Sequence, residues 1–178
     1  TNMYATSGTF EEWRDRIGVL CRGNSRLLLA ASGAFAGVLL HFSEVEGGGD
    51  HLRGPSSTGK TTAALVAVSV FGSHQQLQRW RATSNGLEAI AALHNNALLV
   101  LDELGQVDPR EAGEIAYALA NGTGKQRMTR TATAARRYMW RLQFFSTGEI
   151  GLSQHMASVG RHTRAGQGVR RAELEAHA

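Results

Sequence analysis

The sequence predicts an α/β fold with a mostly parallel central sheet, and three observations support this prediction. Segments typical of short strands alternate with segments typical of helices. Residues 97–101 are continuously apolar, as expected for a strand that is buried on both faces. A glycine-containing loop separates a strand-like segment near His51 from an apolar, helix-like segment that begins at Lys60. Such a loop lies at the carboxyl end of its strand, where α/β sheets bind ligands.

Two helices are predicted before the first strand, and each begins at a capping residue. Thr9, with Glu12 three residues later, is typical of a helix N-terminus. Asn24 or Ser25 is expected to cap the second helix. The polar, glycine-rich stretch that follows predicts a turn or a hairpin tip. These segments are residues 10–21, about 25–42, and 44–50.

The remaining elements are predicted to alternate. Pro109 is expected to open a helix with Asp108 as its cap. The predicted strands are residues 51–54, 78–82, 97–101 and 138–146, and the predicted helices are residues 60–71, 85–94, 110–120 and 150–158. We expect an N-terminal helical segment, residues 1–50, packed on a core of residues 51–178. Residues 170–178 are more polar than the strand expected there, which leaves open a core truncated at its C-terminus.

The composition limits the functional classes. The 178 residues, 42% hydrophobic and 19% charged, fit one globular domain. Cys21 is the single cysteine, so an internal disulfide is excluded and a reducing compartment is favoured. The most apolar stretch, residues 27–40, is shorter than the roughly 20 residues that cross a bilayer. We therefore expect a soluble, cytoplasmic protein that does not bind a membrane.

The loop matches the pattern of a phosphate-binding loop. Glycines let backbone N–H groups approach a phosphate, and the following helix adds its positive end. Lys60 is expected to reach the β- and γ-phosphates, and the Thr61 hydroxyl to bind Mg²⁺. The pattern therefore predicts ATP, or a close relative, together with Mg²⁺. The predicted nucleotide-binding residues are Gly54, Pro55, Ser56, Ser57, Thr58, Gly59, Lys60, Thr61 and Thr62.

An acidic pair ends the apolar strand of residues 97–101. Asp102 is predicted to hold Mg²⁺, directly or through water, and Glu103 to polarise the attacking water. Ser146 and Thr147 end the next predicted strand, where a hydroxyl can sense the γ-phosphate or the water. A Ser-Thr helix cap is the alternative interpretation of either residue.

Basic residues suggest two further roles. Arg161 and Arg164 follow the strand that ends at Thr147, and either is expected to neutralise transition-state charge in its own or a neighbouring subunit. A solvated basic turn is the alternative for both.

Residues 121–137 form a basic segment that contains Lys125, Arg127 and Arg130. In ring-shaped motors an insertion at this position forms a hairpin that grips phosphates, so these side chains are candidate DNA contacts. The net charge of +4 permits such binding without establishing it. A mobile, solvated loop is an equal alternative.

With these residues in place, the chain resembles a bacterial family of plasmid- and phage-associated helicase-like P-loop domains. Its members are often labelled superfamily II helicases and inactivated derivatives. The resemblance implies an ATPase that acts on DNA in mobile-element replication, as a homo-oligomer in a ring. The predicted fold is thus a P-loop NTPase, RecA/AAA-like, with three layers and N-terminal helices. The resemblance runs from Asn24 to about Arg170 and rests on residues 51–61, 79–83, 101–106, 146–149 and 163–167.

Three functions remain open from the sequence. The first is an ATP-hydrolysing motor or remodeller on DNA. The second is a nucleotide-gated switch that hydrolyses slowly and regulates a partner protein. Glu103 favours the first, because a switch does not need a dedicated base. A small-molecule phosphotransferase is the third, and the sequence contains no arginine-rich lid segment of the usual kind to favour it.

Overall fold

The computed structural model describes residue 4 and residues 6–126, 137–163 and 170–177. The described strands are β1 Gly48–Arg53, β2 Gln78–Arg79, β3 Leu98–Asp102, β4 Gln143–Gly148 and β5 Arg171–Glu175. The described α-helices are α1 Phe10–Arg16, α2 Ser25–Leu39, α3 Lys60–Ser69, α4 Ser84–Leu93, α5 Pro109–Asn121 and α6 Leu152–Ala157. Short 3₁₀ helices cover Gly18–Cys21, Leu40–Phe42, His74–Gln76 and Leu104–Gln106.

The described strands form one sheet in the order β2-β3-β4-β1-β5, and every pairing is parallel. Strand β4 therefore lies between β1 and β3, although it follows both in the chain. Ser146 of β4 is opposite His51 on one side and Leu101 on the other. The predicted α/β class with a mostly parallel sheet is confirmed.

Helices cover both faces of the sheet. On one face, α2 and α3 bury small side chains against β1, β3 and β4. On the other face, α4, α5 and α6 pack on β3 and β4. The first core contains Ala30, Ala34, Leu52, Ala63, Ala64, Ala67, Val68, Leu98, Val100 and Phe145. The second includes Trp80, Leu87, Leu99, Leu101, Leu119, Trp140, Leu142, Phe144, Leu152 and Met156.

Helix α2 uses its small residues to approach the sheet closely. By length and composition alone, Ser25–Phe42 is the one segment among the described residues that could cross a membrane. In the structure, Ala30 and Ala34 are fully buried in the core. A Cβ added to Gly37 would come within 2.6 Å of the Ala97 carbonyl carbon. A larger residue at this position cannot be accommodated without separating the helix from β3.

The helix caps are confirmed, but the first helix is shorter than predicted. Thr9 and Glu12 form the reciprocal capping box, and Asn24 rather than Ser25 caps α2. Asp108 caps α5, with Pro109 in its first turn. The predicted helix over residues 10–21 is wrong beyond Arg16, because the chain continues there as the 3₁₀ helix Gly18–Cys21. Gly18 at this change lacks the helix propensity needed to continue an α-helix.

The glycine-rich turn predicted over residues 44–50 is also wrong in its second half, because β1 begins at Gly48. A Cβ at Gly49 would lie 2.4 Å from the Phe144 ring, and one at Gly47 would lie 2.4 Å from the Leu142 carbonyl oxygen. These glycines therefore permit close packing within the sheet instead of marking a turn.

Three other strands differ from the prediction. Strand β4 begins at Gln143, not at residue 138, since its neighbour β3 begins only at Leu98. Strand β2 is shorter than residues 78–82, because Ala82 N–H already donates to the Trp80 carbonyl. The polar C-terminal segment does form a strand, β5, at the edge of the sheet. An edge strand tolerates polar side chains because solvent reaches it.

A buried chain of hydrogen bonds crosses the sheet from β2 to β1, and we call it the Trp80–His51 chain. Trp80 Nε1–H donates to Ser146 Oγ at 2.9 Å, and Ser146 Oγ lies 2.9 Å from His51 Nδ1. His51 Nε2 lies 3.0 Å from the Ile150 carbonyl oxygen. Because a carbonyl only accepts, Nε2 carries the proton, and Nδ1 of the neutral ring accepts from the Ser146 hydroxyl.

The contrast between two glycines of α2 gives a stability test. Gly37→Ala is expected to destabilise the protein by about 1–2 kcal/mol, because overpacking against Ala97 outweighs the gain in helix propensity. Gly33→Ala is the matched control, since its Cβ would meet Gln143 only at 3.9 Å. That variant should gain up to about 1 kcal/mol. Urea denaturation measures both, and equal effects would contradict the close approach of α2 to β3.

The Trp80–His51 chain predicts acid sensitivity. Burial lowers the pKa of His51 to about 4, from an ordinary value of 6.5. The unfolded chain therefore takes up a proton below pH 6.5 that the folded protein refuses, so stability falls as the pH drops towards 4. The full loss is about 3 kcal/mol. His51→Gln should flatten the stability curve in this pH window, and the exposed control His74→Gln should not. Denaturation at each pH measures this, and a curve unchanged by His51→Gln would refute it.

Candidate functional site

The predicted loop, the acidic pair and Thr147 meet at one edge of the sheet, where β1, β3 and β4 end. Gly54, the first residue after β1, donates its N–H to the Gly148 carbonyl at the end of β4 (3.2 Å). On the other side of β4, Thr147 contacts Asp102 at the end of β3. The loop and the acidic pair are therefore joined through a single intervening strand.

The loop after β1 closes around the Lys60 ammonium group. Lys60 Nζ donates to the carbonyl oxygens of Gly54 (2.8 Å) and Pro55 (2.6 Å), and the residue is 8% exposed. Gly59 adopts the left-handed conformation (φ 82°) directly before α3, and nothing lies within 4 Å of a Cβ placed there. A glycine is favoured at this position because the conformation is costly for other residues.

The loop presents a set of unused donors. Among the described residues, no acceptor is found for the backbone N–H groups of residues 56–62. Gly59 caps α3 without any side-chain hydrogen bond. Unpaired N–H groups at a helix N-terminus, with a lysine ammonium among them, are the donor set that a phosphate group accepts from. The residues present therefore fit a bound phosphate.

Thr147 ties the acidic pair together. Its hydroxyl donates to Asp102 Oδ1 and accepts from the Glu103 backbone N–H at 3.1 Å. Thr147 is 1% exposed, so neither bond competes much with water. Glu103 has a positive φ of 64°, which costs a non-glycine residue about 1–3 kcal/mol. The Thr147 hydroxyl helps to hold this strained backbone.

Ser146 and Thr147, both proposed from the sequence as sensing hydroxyls, lie in different surroundings. Thr147 contacts the acidic pair, whereas the Ser146 hydroxyl is used by Trp80 and His51 in the Trp80–His51 chain. The two side chains alternate along β4 and face opposite sides of the sheet. Of the two, only Thr147 is placed beside Asp102 and Glu103.

The residues suggested for Mg²⁺ are a hydroxyl and a carboxylate. Thr61 is exposed in the first turn of α3, and Asp102 is half-buried at the end of β3. The described part of the chain contains no group of three or more His, Cys, Asp or Glu side chains arranged around a common point. Mg²⁺ in phosphate sites keeps several waters and takes one or two protein ligands, so this donor set fits it.

The C-terminal strand β5 supports the loop, and none of its residues is among the predicted site residues. Ala176 N–H donates to the Arg53 carbonyl (2.7 Å), and Arg53 forms an ion pair with Glu175 (2.7 Å). Arg26 of α2 donates to the Glu175 carbonyl. Glu173 of β5 accepts from the Leu152 N–H at the start of α6. The sequence signal for β5 is the alternation of charged and apolar residues from Arg171 to Glu175.

The predicted basic segment is described only at its ends. Thr123 and Met139 form an antiparallel bridge, so the segment leaves and rejoins the core side by side. Lys125 Nζ lies 3.5 Å from Glu114 and its backbone N–H donates to buried Glu88. The other two candidate DNA contacts, Arg127 and Arg130, lie outside the described residues.

The two candidate transition-state arginines also differ. Arg161 is exposed and donates to the Arg110 carbonyl at 3.2 Å, near the start of α5. Arg164 lies outside the described residues.

The solved structures similar to this chain include one described as "SCCmec type IV Cch - active helicase". It is 26% identical, with a TM-score of 0.73, and the match covers 97% of this chain and 33% of that one. With the sheet order, this likeness confirms the predicted P-loop-type, RecA/AAA-like fold. No curated protein matches the sequence.

Two structures of NtrX from Brucella abortus are more distant. One, in complex with ADP, is 15% identical with a TM-score of 0.47 and a match covering 96% of this chain and 37% of that one. The other is 16% identical, with the same TM-score and coverages of 85% and 39%. The chain thus spans between 33% and 39% of these solved proteins.

A family model described as a domain of unknown function, DUF927, matches residues 1–140. The matched region includes the phosphate-binding loop pattern and the acidic pair Asp102–Glu103. Since the match extends over more than half of the sequence, the chain belongs to the DUF927 family.

Proposed function

We propose that the chain binds ATP with Mg²⁺ and hydrolyses it, as the motor domain of a helicase-like protein that acts on DNA of mobile elements. The observation that carries this proposal is the joining of two parts through β4: the loop with unused N–H donors around Lys60, and the acidic pair held by Thr147. Neither part alone requires hydrolysis, but their apposition provides both a phosphate site and a base.

Phosphate binding would use the loop with little rearrangement. The Lys60 ammonium now donates to the Gly54 and Pro55 carbonyls, and phosphate oxygens would replace these acceptors with a charged partner. The N–H groups of residues 56–62 would donate to the same phosphates. When bound, Mg²⁺ supplies charge neutralisation on the phosphates, with Thr61 and Asp102 as its protein ligands.

Activation of the attacking water is assigned to Glu103, whose carboxylate is available as a base. Thr147 holds the Glu103 backbone and one oxygen of Asp102, so a single hydroxyl orients both acids. As a sensing residue, Thr147 would exchange one of these bonds when a γ-phosphate or its attacking water is present.

DNA binding, assembly and location are parts of the same proposal. In this proposal, Lys125, Arg127 and Arg130 of the basic segment contact DNA phosphates. The described ends of that segment lie antiparallel to each other. Arg164, or Arg161, would act on the nucleotide of its own or a neighbouring subunit in a ring-shaped homo-oligomer. We place the protein in the cytoplasm, with residues 1–50 as a helical segment on a core of residues 51–178.

A nucleotide-gated switch is the second candidate, and one observation favours it. The left-handed backbone of Glu103 is strained and is held by a bond to Thr147, so release of that bond would let the backbone relax. A change of this kind can report the nucleotide state to a partner protein. Slow turnover that does not respond to DNA would favour the switch.

The hydrolytic roles are tested by steady-state ATP hydrolysis, with and without single-stranded DNA, and by nucleotide binding. Glu103→Gln is expected to bind ATP normally and to lose turnover by roughly 10²–10⁴-fold, since it removes the base but not the phosphate site. Lys60→Ala should weaken binding by roughly 10–100-fold, because it removes a charged hydrogen-bond donor.

Glu111→Gln is the control for loss of a carboxylate, since Glu111 is exposed on α5. Normal turnover in Glu103→Gln would refute the assignment of the base. Undiminished ATP binding by Lys60→Ala would refute the phosphate site itself.

The DNA contacts are tested by the salt dependence of binding to labelled single-stranded DNA. Replacing Lys125, Arg127 and Arg130 by Gln should reduce the slope of log K against log salt by roughly 0.7 for each lost phosphate contact. The control replaces Arg14, Arg16 and Arg22, which are exposed near the N-terminus, and makes the same change in net charge. Equal losses in both variants would mean that only net charge matters.

A further inference from the structure

We infer that His51 and Ser146 are positioning residues of the hydrolytic site, which hold Thr147 against the acidic pair through the Trp80–His51 chain. This inference rests on the proposed function and assigns a role to side chains that lie outside the loop and the acidic pair. Its basis is that buried hydrogen bonds fix the backbone on both sides of Thr147.

His51 contacts the chain before and after Thr147. Its Nδ1 is bonded to Ser146, the preceding residue, and its Nε2 to the carbonyl of Ile150, three residues further on. Between these two points, the ring packs against Gly148, where an added Cβ would lie 3.1 Å from His51 Cε1. One imidazole therefore fixes both ends of the short segment that carries the Thr147 side chain.

The other end of the chain joins Ser146 to Trp80, which lies beyond β3 on the side of β4 away from His51. Trp80 follows β2, and its indole N–H leaves the Ser146 oxygen with one donor already bound. The Ser146 proton must therefore go to His51 Nδ1, so the bonds run in one direction from Trp80 to the Ile150 carbonyl. While His51 is neutral, the donors and acceptors of these hydrogen bonds cannot be exchanged. The bonds therefore restrict movement of β4.

Small displacements of Thr147 would act directly on the acidic pair and would reach the loop only through Gly54. Its hydroxyl binds Asp102 and the Glu103 N–H, and the neighbouring Gly148 carbonyl accepts from Gly54 of the loop. A displacement of about 1 Å in such a constellation can cost roughly 100-fold in rate. Nucleotide affinity should change little, because Lys60 and the loop N–H groups are not part of the chain.

The charged groups around His51 do not favour its protonation in the fold. Burial is the largest cause of the low pKa of His51, the hydrogen bond to the Ile150 carbonyl and the charge of Glu173 raise this pKa, and Arg171 and Arg53 lower it. Within the sheet, Glu173 is opposite His51 and is bonded to Arg171 and to the Leu152 N–H. Its carboxylate is therefore already engaged, and His51 stays neutral near pH 7.

The kinetic test is a double-mutant cycle on ATP hydrolysis. His51→Ala and Ser146→Ala should each lower kcat by roughly 10–100-fold with little change in KM. His51→Gln should restore part of kcat, since its amide can accept from Ser146 and donate to Ile150. In a Thr147→Ala background, His51→Ala should have little further effect on kcat, because the residue it positions is gone.

A core control separates positioning from stability. Val68→Ala removes a buried side chain from the core between α3 and the sheet, away from the chain. It should lower stability without lowering kcat at temperatures where the protein is folded. Additive effects of His51→Ala and Thr147→Ala, or an equal loss of kcat in Val68→Ala, would overturn the inference.

Backbone hydrogen exchange tests the same inference without hydrolysis. The Glu103 and Gly54 amides, which donate to Thr147 and Gly148, should exchange at least about tenfold faster in His51→Ala and unchanged in Val68→Ala. If the wild-type protein binds ATP but does not hydrolyse it, the hydrolytic proposal fails. The positioning role is then tested by hydrogen exchange alone. Unchanged exchange at both amides in His51→Ala would then overturn the positioning role.

Discussion

Strand β4 is hydrogen-bonded along its length to β1 on one side and over residues 143–146 to β3 on the other, and the site depends on this pairing. Its parallel register aligns the ends of the three strands, so that Gly148 meets Gly54 while Thr147 meets Asp102. The helices on the two faces of the sheet pack against side chains of the same strand: Phe144 of β4 lies in one core and Phe145 in the other. Packing and site geometry therefore share one set of backbone hydrogen bonds.

Local signals in the sequence were sufficient for most elements of the fold. The caps at Thr9, Asn24 and Asp108 could be predicted because each acts within a few residues. The start of β1 could not be predicted, because Gly49 is needed for close packing against the ring of Phe144, which is distant in sequence. Strand β5 was missed because an edge position, known only from the sheet order, makes its polar residues tolerable.

Parts of the candidate site could likewise be predicted from the sequence, and other parts depended on the fold. The loop pattern and the Asp-Glu pair are visible in sequence because their chemistry needs residue types at fixed local spacing. That Thr147 would contact both acids, and that Ser146 would instead join Trp80 and His51, depended on strand order and on alternation along β4. The roles given to the loop, the acids and Thr147 stay predictions. Arg164, Arg127 and Arg130 lie outside the described residues.

The order of the strands in space also bears on synthesis. His51 and Ser146 are bonded although they lie 95 positions apart in the sequence, and the loop after β1 is further tied to β5 through Arg53 and Glu175. During translation, β1 emerges long before its neighbours β4 and β5 are synthesised, so the backbone groups on both of its edges stay unpaired until then. Such distant pairings form slowly, because the intervening chain must first be closed into a loop. The nascent chain therefore cannot assemble the candidate site until β4 and β5 have left the ribosome.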